Sequence, residues 1–183
     1  MLNFKVKILQ TLVIVDTLEG KHGMDDAKIL VVDDDESIRR VFKINLEEEG
    51  YTVETAVSGD EALSKIKNSY FNLVFLDVKL GDIEGTDLLK MIDEMRPKMR
   101  KIIVTGFPSL ENAIQALNRG ADGYLLKPVK IEQLLKVLKE QLEKQREESK
   151  FDEKKMSRYL EDRVNELELM KRYYRPIGES RSE

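Results

Sequence analysis

The sequence contains no cysteine and a single histidine, His22. Without cysteine, disulfide bonds, thiol catalysis and cysteine-ligated metals are excluded. One histidine cannot form a histidine-based metal cluster, and it argues against a histidine-dependent catalytic triad. No apolar run approaches the roughly 20 residues that a membrane-spanning helix needs. We therefore expect no membrane span and a cytoplasmic location.

Charge and length narrow the class of protein further. The chain has 183 residues, a formal net charge of -4 and 36% charged residues. This length suits one domain with a sizeable core, or one domain with an appendage. The slightly acidic balance provides no general reason to contact nucleic acid or an anionic membrane directly. We expect neither as a partner.

Four short apolar runs each end abruptly at a polar residue. The runs are residues 29–32, 73–76, 102–104 and 124–126. Such runs, bounded by polar segments, are typical of buried strands in a parallel sheet. The polar residues that follow them are Asp33, Asp34 and Asp35, then Asp77, then Thr105, then Lys127. Because open α/β sheets place ligands at the carboxyl ends of their strands, we expect these groups to lie together.

Strand-like and helix-like segments alternate five times from Lys28 onward. Gly50 and Gly120 stand where the first and fourth helices should stop, as glycine often does after a helix. Five such units predict an α/β fold with a five-stranded parallel sheet, order 2-1-3-4-5, and helices on both faces. In that order the topological switch point lies between strands one and three, which places Asp33 and Asp34 beside Asp77.

These residue types suit phosphoryl transfer to Asp77. A carboxylate can act as a nucleophile and form an acyl phosphate. Clustered carboxylates repel one another unless a cation compensates them, and oxygen ligands such as Asp34 and Asp77 suit Mg²⁺. Lys127 and the Thr105 hydroxyl would contact other phosphoryl oxygens, since phosphoryl transfer depends mainly on positioning and charge neutralisation. We assign Asp35 to capping the first helix.

As an ordered set, these motifs resemble the receiver domain of two-component response regulators. The segments that carry the resemblance are Ile29-Leu30-Val31-Val32-Asp33-Asp34-Asp35, Leu76-Asp77, Val104-Thr105-Gly106 and Leu126-Lys127-Pro128. The resemblance implies a flavodoxin-like receiver that accepts phosphate on Asp77 from a sensor histidine kinase or a phosphotransfer protein. It also implies Mg²⁺ held by Asp34, Asp77 and the backbone carbonyl of Lys79, with Asp33 acting partly through water.

The resemblance also implies a conformational response. Thr105 and Tyr124 match the switch pair of the family, and Lys127–Pro128 matches its cis peptide bond. Gly106, which lacks a side chain, should leave the site open to a partner or a small phosphodonor. Signalling would run through the face formed by helix four, strand five and helix five. On this reading the protein phosphorylates and dephosphorylates itself and is not a turnover enzyme.

Composition divides the chain into four predicted parts. They are an N-terminal extension at 1–24, a receiver domain at 25–145, a helical or coiled-coil extension at 146–175 and a disordered tail at 176–183. For the first part, two alternatives remain open: a translation start at Met24, or an added edge strand or arm that contacts a partner. In the third part Leu160, Val164 and Leu167 share a helical register. A solvated helix, and a helix that pairs in a homodimer or with a partner protein, are both consistent with this pattern.

Three other functions compete with this interpretation. A haloacid-dehalogenase-type phosphatase would use Asp33-x-Asp35. That family has an acidic pair after its lysine, which is missing after Lys127, and Asp77 would have no role in its reaction. A flavin-binding protein of the same fold would place its cofactor phosphate against three carboxylates, which repel it. A receiver used only as a dimerisation scaffold would not need the complete set of phosphorylation residues. We keep the phosphatase and the scaffold as alternatives.

Overall fold

The computed structural model describes residues 27–106 and 109–173 and contains a five-stranded parallel sheet. The strands are β1 (Lys28–Val32), β2 (Thr52–Ala56), β3 (Leu73–Asp77), β4 (Arg100–Thr105) and β5 (Gly123–Leu126). The helices are α1 (Glu36–Glu48), α2 (Gly59–Asn68), α3 (Gly85–Met95), α4 (Leu110–Asn118) and α5 (Ile131–Tyr173). The strand order is β2-β1-β3-β4-β5, which confirms the predicted fold class.

The helix ends follow local rules of capping. The Asp35 carboxylate accepts a hydrogen bond of 2.7 Å from the Ser37 N–H at the start of α1, which also lowers the pKa of Asp35. Gly50 after α1 and Gly120 after α4 have φ of 92° and 91°, a left-handed conformation that costs glycine little. The sequence signals for these stops are therefore correct.

Two apolar cores lie on opposite faces of the sheet. Along β1, Ile29 and Val31 contribute to one core and Leu30 and Val32 to the other, as expected for side chains that alternate across a strand. All five residues of β3 are buried. A strand buried on both faces has no position for polar residues until it ends, and β3 ends at Asp77.

Helix α5 is a single helix of 43 residues that belongs to two compact units. The first unit ends at Leu142, and within it α5 buries Leu134, Leu138 and Leu142 at intervals of one helical turn. The second unit begins at Glu143. The predicted boundaries at 24, 145 and 175 remain predictions. The segments predicted as an N-terminal extension and a disordered tail lie outside the described residues.

No described helix, in residues 27–106 or 109–173, combines the length and the apolar character that crossing a membrane requires.

Candidate functional site

The carboxyl ends of β1 and β3 bring three acids together. Val32 pairs with Leu76 in adjacent parallel strands, so the residues that follow them, Asp33 and Asp77, emerge side by side. One carboxylate oxygen from each of Asp33, Asp34 and Asp77 lies within 4.8 Å of the others. The predicted convergence of these acids at one edge of the sheet is present in the structure.

Lys127 approaches the same acids from the far side of β4. Its ammonium Nζ donates to Asp33 Oδ2 at 2.7 Å and to Asp77 Oδ2 at 2.9 Å. The residue follows β5, and its N–H donates to the Thr105 carbonyl at 2.8 Å, which extends the pairing of β4 with β5. The Lys127–Pro128 peptide bond is cis. A long side chain is needed here because β4 lies between β5 and β3.

Burial makes these charges interdependent. Asp33 and Asp77 are only 2% and 7% exposed, whereas Asp34 is exposed. Desolvation raises the pKa of Asp33, although the hydrogen bond from Lys127 opposes that shift. Desolvation alone would lower the pKa of Lys127, but its bonds to Asp33 and Asp77 outweigh this effect and raise it. The ammonium therefore stays charged and compensates two buried carboxylates.

The backbone around Asp33 is also held in place. The Asp33 carboxylate accepts a hydrogen bond of 2.9 Å from the Asp35 N–H, and its carbonyl accepts one of 2.7 Å from Arg39 Nη1. Arg39 was not among the site residues predicted from the sequence. Its position four residues after the cap of α1 was the only available signal, because that spacing returns the side chain towards the end of β1.

The donor set fits Mg²⁺. Three carboxylates converge, one of them exposed, and Mg²⁺ prefers a few carboxylate oxygens together with retained waters. Lys79, whose carbonyl was predicted to join them, lies two residues after Asp77 and forms an isolated antiparallel bridge with Glu84. Asp33, Asp34 and Asp77, with that carbonyl, are the groups that would hold the ion.

The residues of the predicted switch lie on β4, β5 and the turn after β4. Thr105 ends β4 and is fully buried. Tyr124 is half-buried against the core that contains Leu76, and burial raises its pKa. The Tyr124 hydroxyl is buried and has no hydrogen-bond partner among the described residues. Gly106 is exposed, and a methyl group there would make an ordinary contact of 3.8 Å with Lys127.

A doubly wound parallel sheet with an acidic cluster and a lysine at its switch point defines a class of α/β phosphoacceptor proteins. The sequence model of the response regulator receiver domain matches residues 29–139. The chain belongs to this family.

Individual relatives agree with this assignment. The alginate biosynthesis transcriptional regulatory protein AlgB of Pseudomonas aeruginosa is 39% identical over 129 residues, which cover 70% of this chain and 28% of the relative. The transcriptional regulatory protein ZraR of Salmonella typhimurium is 39% identical over 119 residues, covering 65% and 27%. The chain thus spans 27–28% of the length of these two relatives.

Solved structures give the same result for the fold. A CheY-like response regulator receiver domain protein from Methanospirillum hungatei has a TM-score of 0.66 and 50% identity, covering 67% of this chain and 98% of that one. NtrX from Brucella abortus has a TM-score of 0.66 and 33% identity, covering 69% and 29%. These matches do not favour the phosphatase or the scaffold.

Proposed function

We propose that this chain is a receiver whose phosphoacceptor is Asp77, with Mg²⁺ as cofactor and a sensor histidine kinase or phosphotransfer protein as donor. One observation carries the proposal: the buried Asp77 carboxylate lies within 4.8 Å of Asp33 and Asp34 oxygens and 2.9 Å from the Lys127 ammonium. Two acids and a cation thus surround the one carboxylate that ends the central strand.

In the proposed reaction, an oxygen of the Asp77 carboxylate forms a bond to phosphorus while the bond from phosphorus to the donor breaks. The donor nitrogen of a phosphohistidine, or the carboxylate of acetyl phosphate, leaves with the electron pair. Lys127 keeps its proton and offsets negative charge on the phosphoryl oxygens. Bound Mg²⁺ would supply further neutralisation. Hydrolysis by water then restores Asp77, so the protein is a phosphoacceptor and not a turnover enzyme.

The proposal is tested by incubating the full chain with acetyl phosphate and Mg²⁺. We expect the intact mass to rise by one phosphoryl group. Hydroxylamine should remove that group, because it cleaves acyl phosphates. Borohydride trapping followed by peptide mapping should locate the label at Asp77. Chelation of Mg²⁺ should abolish labelling. A label that resists hydroxylamine or maps to another residue would contradict the proposal.

We also propose that the phosphorylation state is reported through α4, β5 and α5, and that the later part of α5 pairs with a second copy of the chain. Leu160, Val164 and Leu167 follow one another at the 4-3 spacing of a coiled-coil seam. Leu160 and Leu167 are 36% and 51% exposed. In a parallel pair, this register would set Arg163 of one copy near Glu168 of the other, in place of or beside the 2.6 Å ion pair that Arg163 forms with Glu166 in its own helix.

Self-association should therefore depend on both phosphorylation and this seam. We expect sedimentation equilibrium to show a change in oligomeric state when beryllofluoride and Mg²⁺ are added to the full chain. Leu167→Glu should abolish that change because a carboxylate would be desolvated in the seam. Leu169→Glu is the control, since Leu169 is 53% exposed and lies off the seam. Identical oligomeric states with and without beryllofluoride would refute the pairing.

Location and other partners follow from the same function. We propose a cytoplasmic protein, as a phosphoacceptor for a kinase would be, with no direct contact to nucleic acid from its described residues. The relatives AlgB and ZraR are transcriptional regulatory proteins. This chain spans only 27–28% of their length, so the function that we propose for it does not include their transcriptional role.

A further inference from the structure

The start of helix α2 is capped by a residue that is distant in sequence. Ser58 Oγ accepts the Glu61 N–H at 3.2 Å, as a serine at the N-cap position typically does. The two N–H groups before it, of Gly59 and Asp60, donate to Asp82 Oδ1 and Oδ2, each at 3.0 Å. One carboxylate thus satisfies two helix donors that would otherwise lack an intrahelical partner. These bonds lower the pKa of Asp82.

Asp82 belongs to the β3–α3 loop, residues 78–84, which directly follows the phosphoacceptor strand. The base of this loop is closed by a hydrogen bond of 2.7 Å from the Gly85 N–H to the Val78 carbonyl. Its tip lies against α2 so closely that a Cβ at Gly59 would be 2.2 Å from Ile83 Cγ2. The loop is therefore fixed at its base by backbone pairing and at its tip by Asp82.

Lys79 lies between these two attachments. It follows Val78 directly and pairs with Glu84 in the isolated bridge. The direction of its carbonyl is consequently set by a loop that is held at both ends. Without Asp82 the loop would keep its base contacts and the packing of Leu80 and Ile83 against the core, but it would lose the two hydrogen bonds that fix its tip to the start of α2.

We propose that Asp82 is a positioning residue for the Mg²⁺ site: by capping α2 it holds the loop that presents the Lys79 carbonyl. This inference rests on the proposed function, because it assumes that this carbonyl is a ligand. Residues that orient metal ligands typically change metal affinity by about 10- to 100-fold when they are removed. Asp82 does not touch the ion itself and acts through the backbone.

The test is a Mg²⁺ titration of the full, unphosphorylated chain, in which amide chemical shifts are recorded at each Mg²⁺ concentration. We expect Asp82→Ala to raise the Mg²⁺ dissociation constant about tenfold. Asp82→Asn keeps one acceptor oxygen and should give a smaller increase. The matched control is Asp60→Asn. It removes a unit charge at the same helix end but keeps the backbone N–H of residue 60, and therefore its bond to Asp82, in place. It should stay within about twofold of the wild type.

Each outcome is decisive. A wild-type dissociation constant for Asp82→Ala would overturn the inference, and so would an Asp60→Asn protein weakened as much as Asp82→Ala, because charge alone would then explain the effect. If Asp82→Ala does not fold, Asp82→Asn decides: a raised Mg²⁺ dissociation constant supports the inference, and a wild-type value overturns it. If the wild type binds Mg²⁺ and is labelled on Asp77 but Asp82 has no influence, only this inference fails. A wild type that binds no Mg²⁺ would overturn the metal site as well.

Discussion

Asp77→Asn is expected to take up no phosphoryl group from acetyl phosphate and Mg²⁺ under conditions that label the wild type completely. The amide has nearly the same shape as the carboxylate but lacks the nucleophilic oxygen that would bond to phosphorus. The substitution should not unfold the protein, because it removes the repulsion between two buried acids while Lys127 keeps its hydrogen bond to Asp33. Intact mass measures the labelling, and thermal unfolding measures the stability.

Asp34→Asn is the appropriate companion variant. Asp34 belongs to the same acidic cluster but is exposed, and no hydrogen bond to Lys127 is found for it among the described contacts. We expect slower labelling that recovers at high Mg²⁺ concentration, with the label still on Asp77. Complete labelling of Asp77→Asn would exclude Asp77 as the acceptor and move the assignment to one of its acidic neighbours.

Gly85→Ala is expected to lower the free energy of unfolding by about 3 kcal/mol or more, the upper end of what overpacking usually costs. A Cβ at Gly85 would lie 2.2 Å from the Asp77 carbonyl oxygen and 2.7 Å from Val78 Cα. Both atoms are backbone, so no side-chain rotation can relieve the overlap. Gly85 is also the first residue of α3, where alanine by propensity alone would stabilise the helix. A net loss of stability would therefore report the steric effect.

Gly81→Ala provides the control for this change. Gly81 lies in the same β3–α3 loop, nothing lies within 4 Å of its Cβ position, and it is not among the positive-φ glycines. We expect a gain of about 0.4–1 kcal/mol, because alanine restricts the unfolded chain. Urea unfolding of both variants measures the difference. Equal midpoints would show that the close approach of α3 to the end of β3 is not a constraint.

Because Gly85 contacts the backbone of the phosphoacceptor, the same substitution should affect function. Any shift that relieves the overlap displaces Asp77 or Val78. We expect the fraction of Gly85→Ala protein that remains folded to be labelled more slowly by acetyl phosphate than Gly81→Ala.

Most of the fold could be predicted from local patterns. The alternation of strand-like and helix-like segments from Lys28 onward was enough to predict five strands and five helices, because short apolar runs and amphipathic segments follow one another clearly. The right-handed crossover rule leaves few sheet orders open, and the order 2-1-3-4-5 is one of the common doubly wound arrangements among them. The convergence of Asp33, Asp77 and Lys127 then followed from that order.

The contacts that hold the site in place could not be predicted in this way. Asp82 is 22 and 23 residues from the amides it caps, and it could equally have been an exposed turn residue. Arg39 has the sequence context of an ordinary helix surface. Neither residue type nor spacing reveals which loop lies against which helix end, since that depends on the distances between whole elements.

The sequence by itself determined the chemistry of the site, because strand-forming runs that end in acids, a hydroxyl and an amine can meet only where parallel strands end together. It also determined the left-handed stops at Gly50 and Gly120. Only the tertiary structure decided how tightly the site is built. The 2.7 Å bond from Lys127 to Asp33 and the cap from Asp82 to α2 join segments far apart in the chain, and the contact that excludes a side chain at Gly85 joins the start of α3 to the end of β3. Such distances are set by packing across the sheet, which no local pattern encodes.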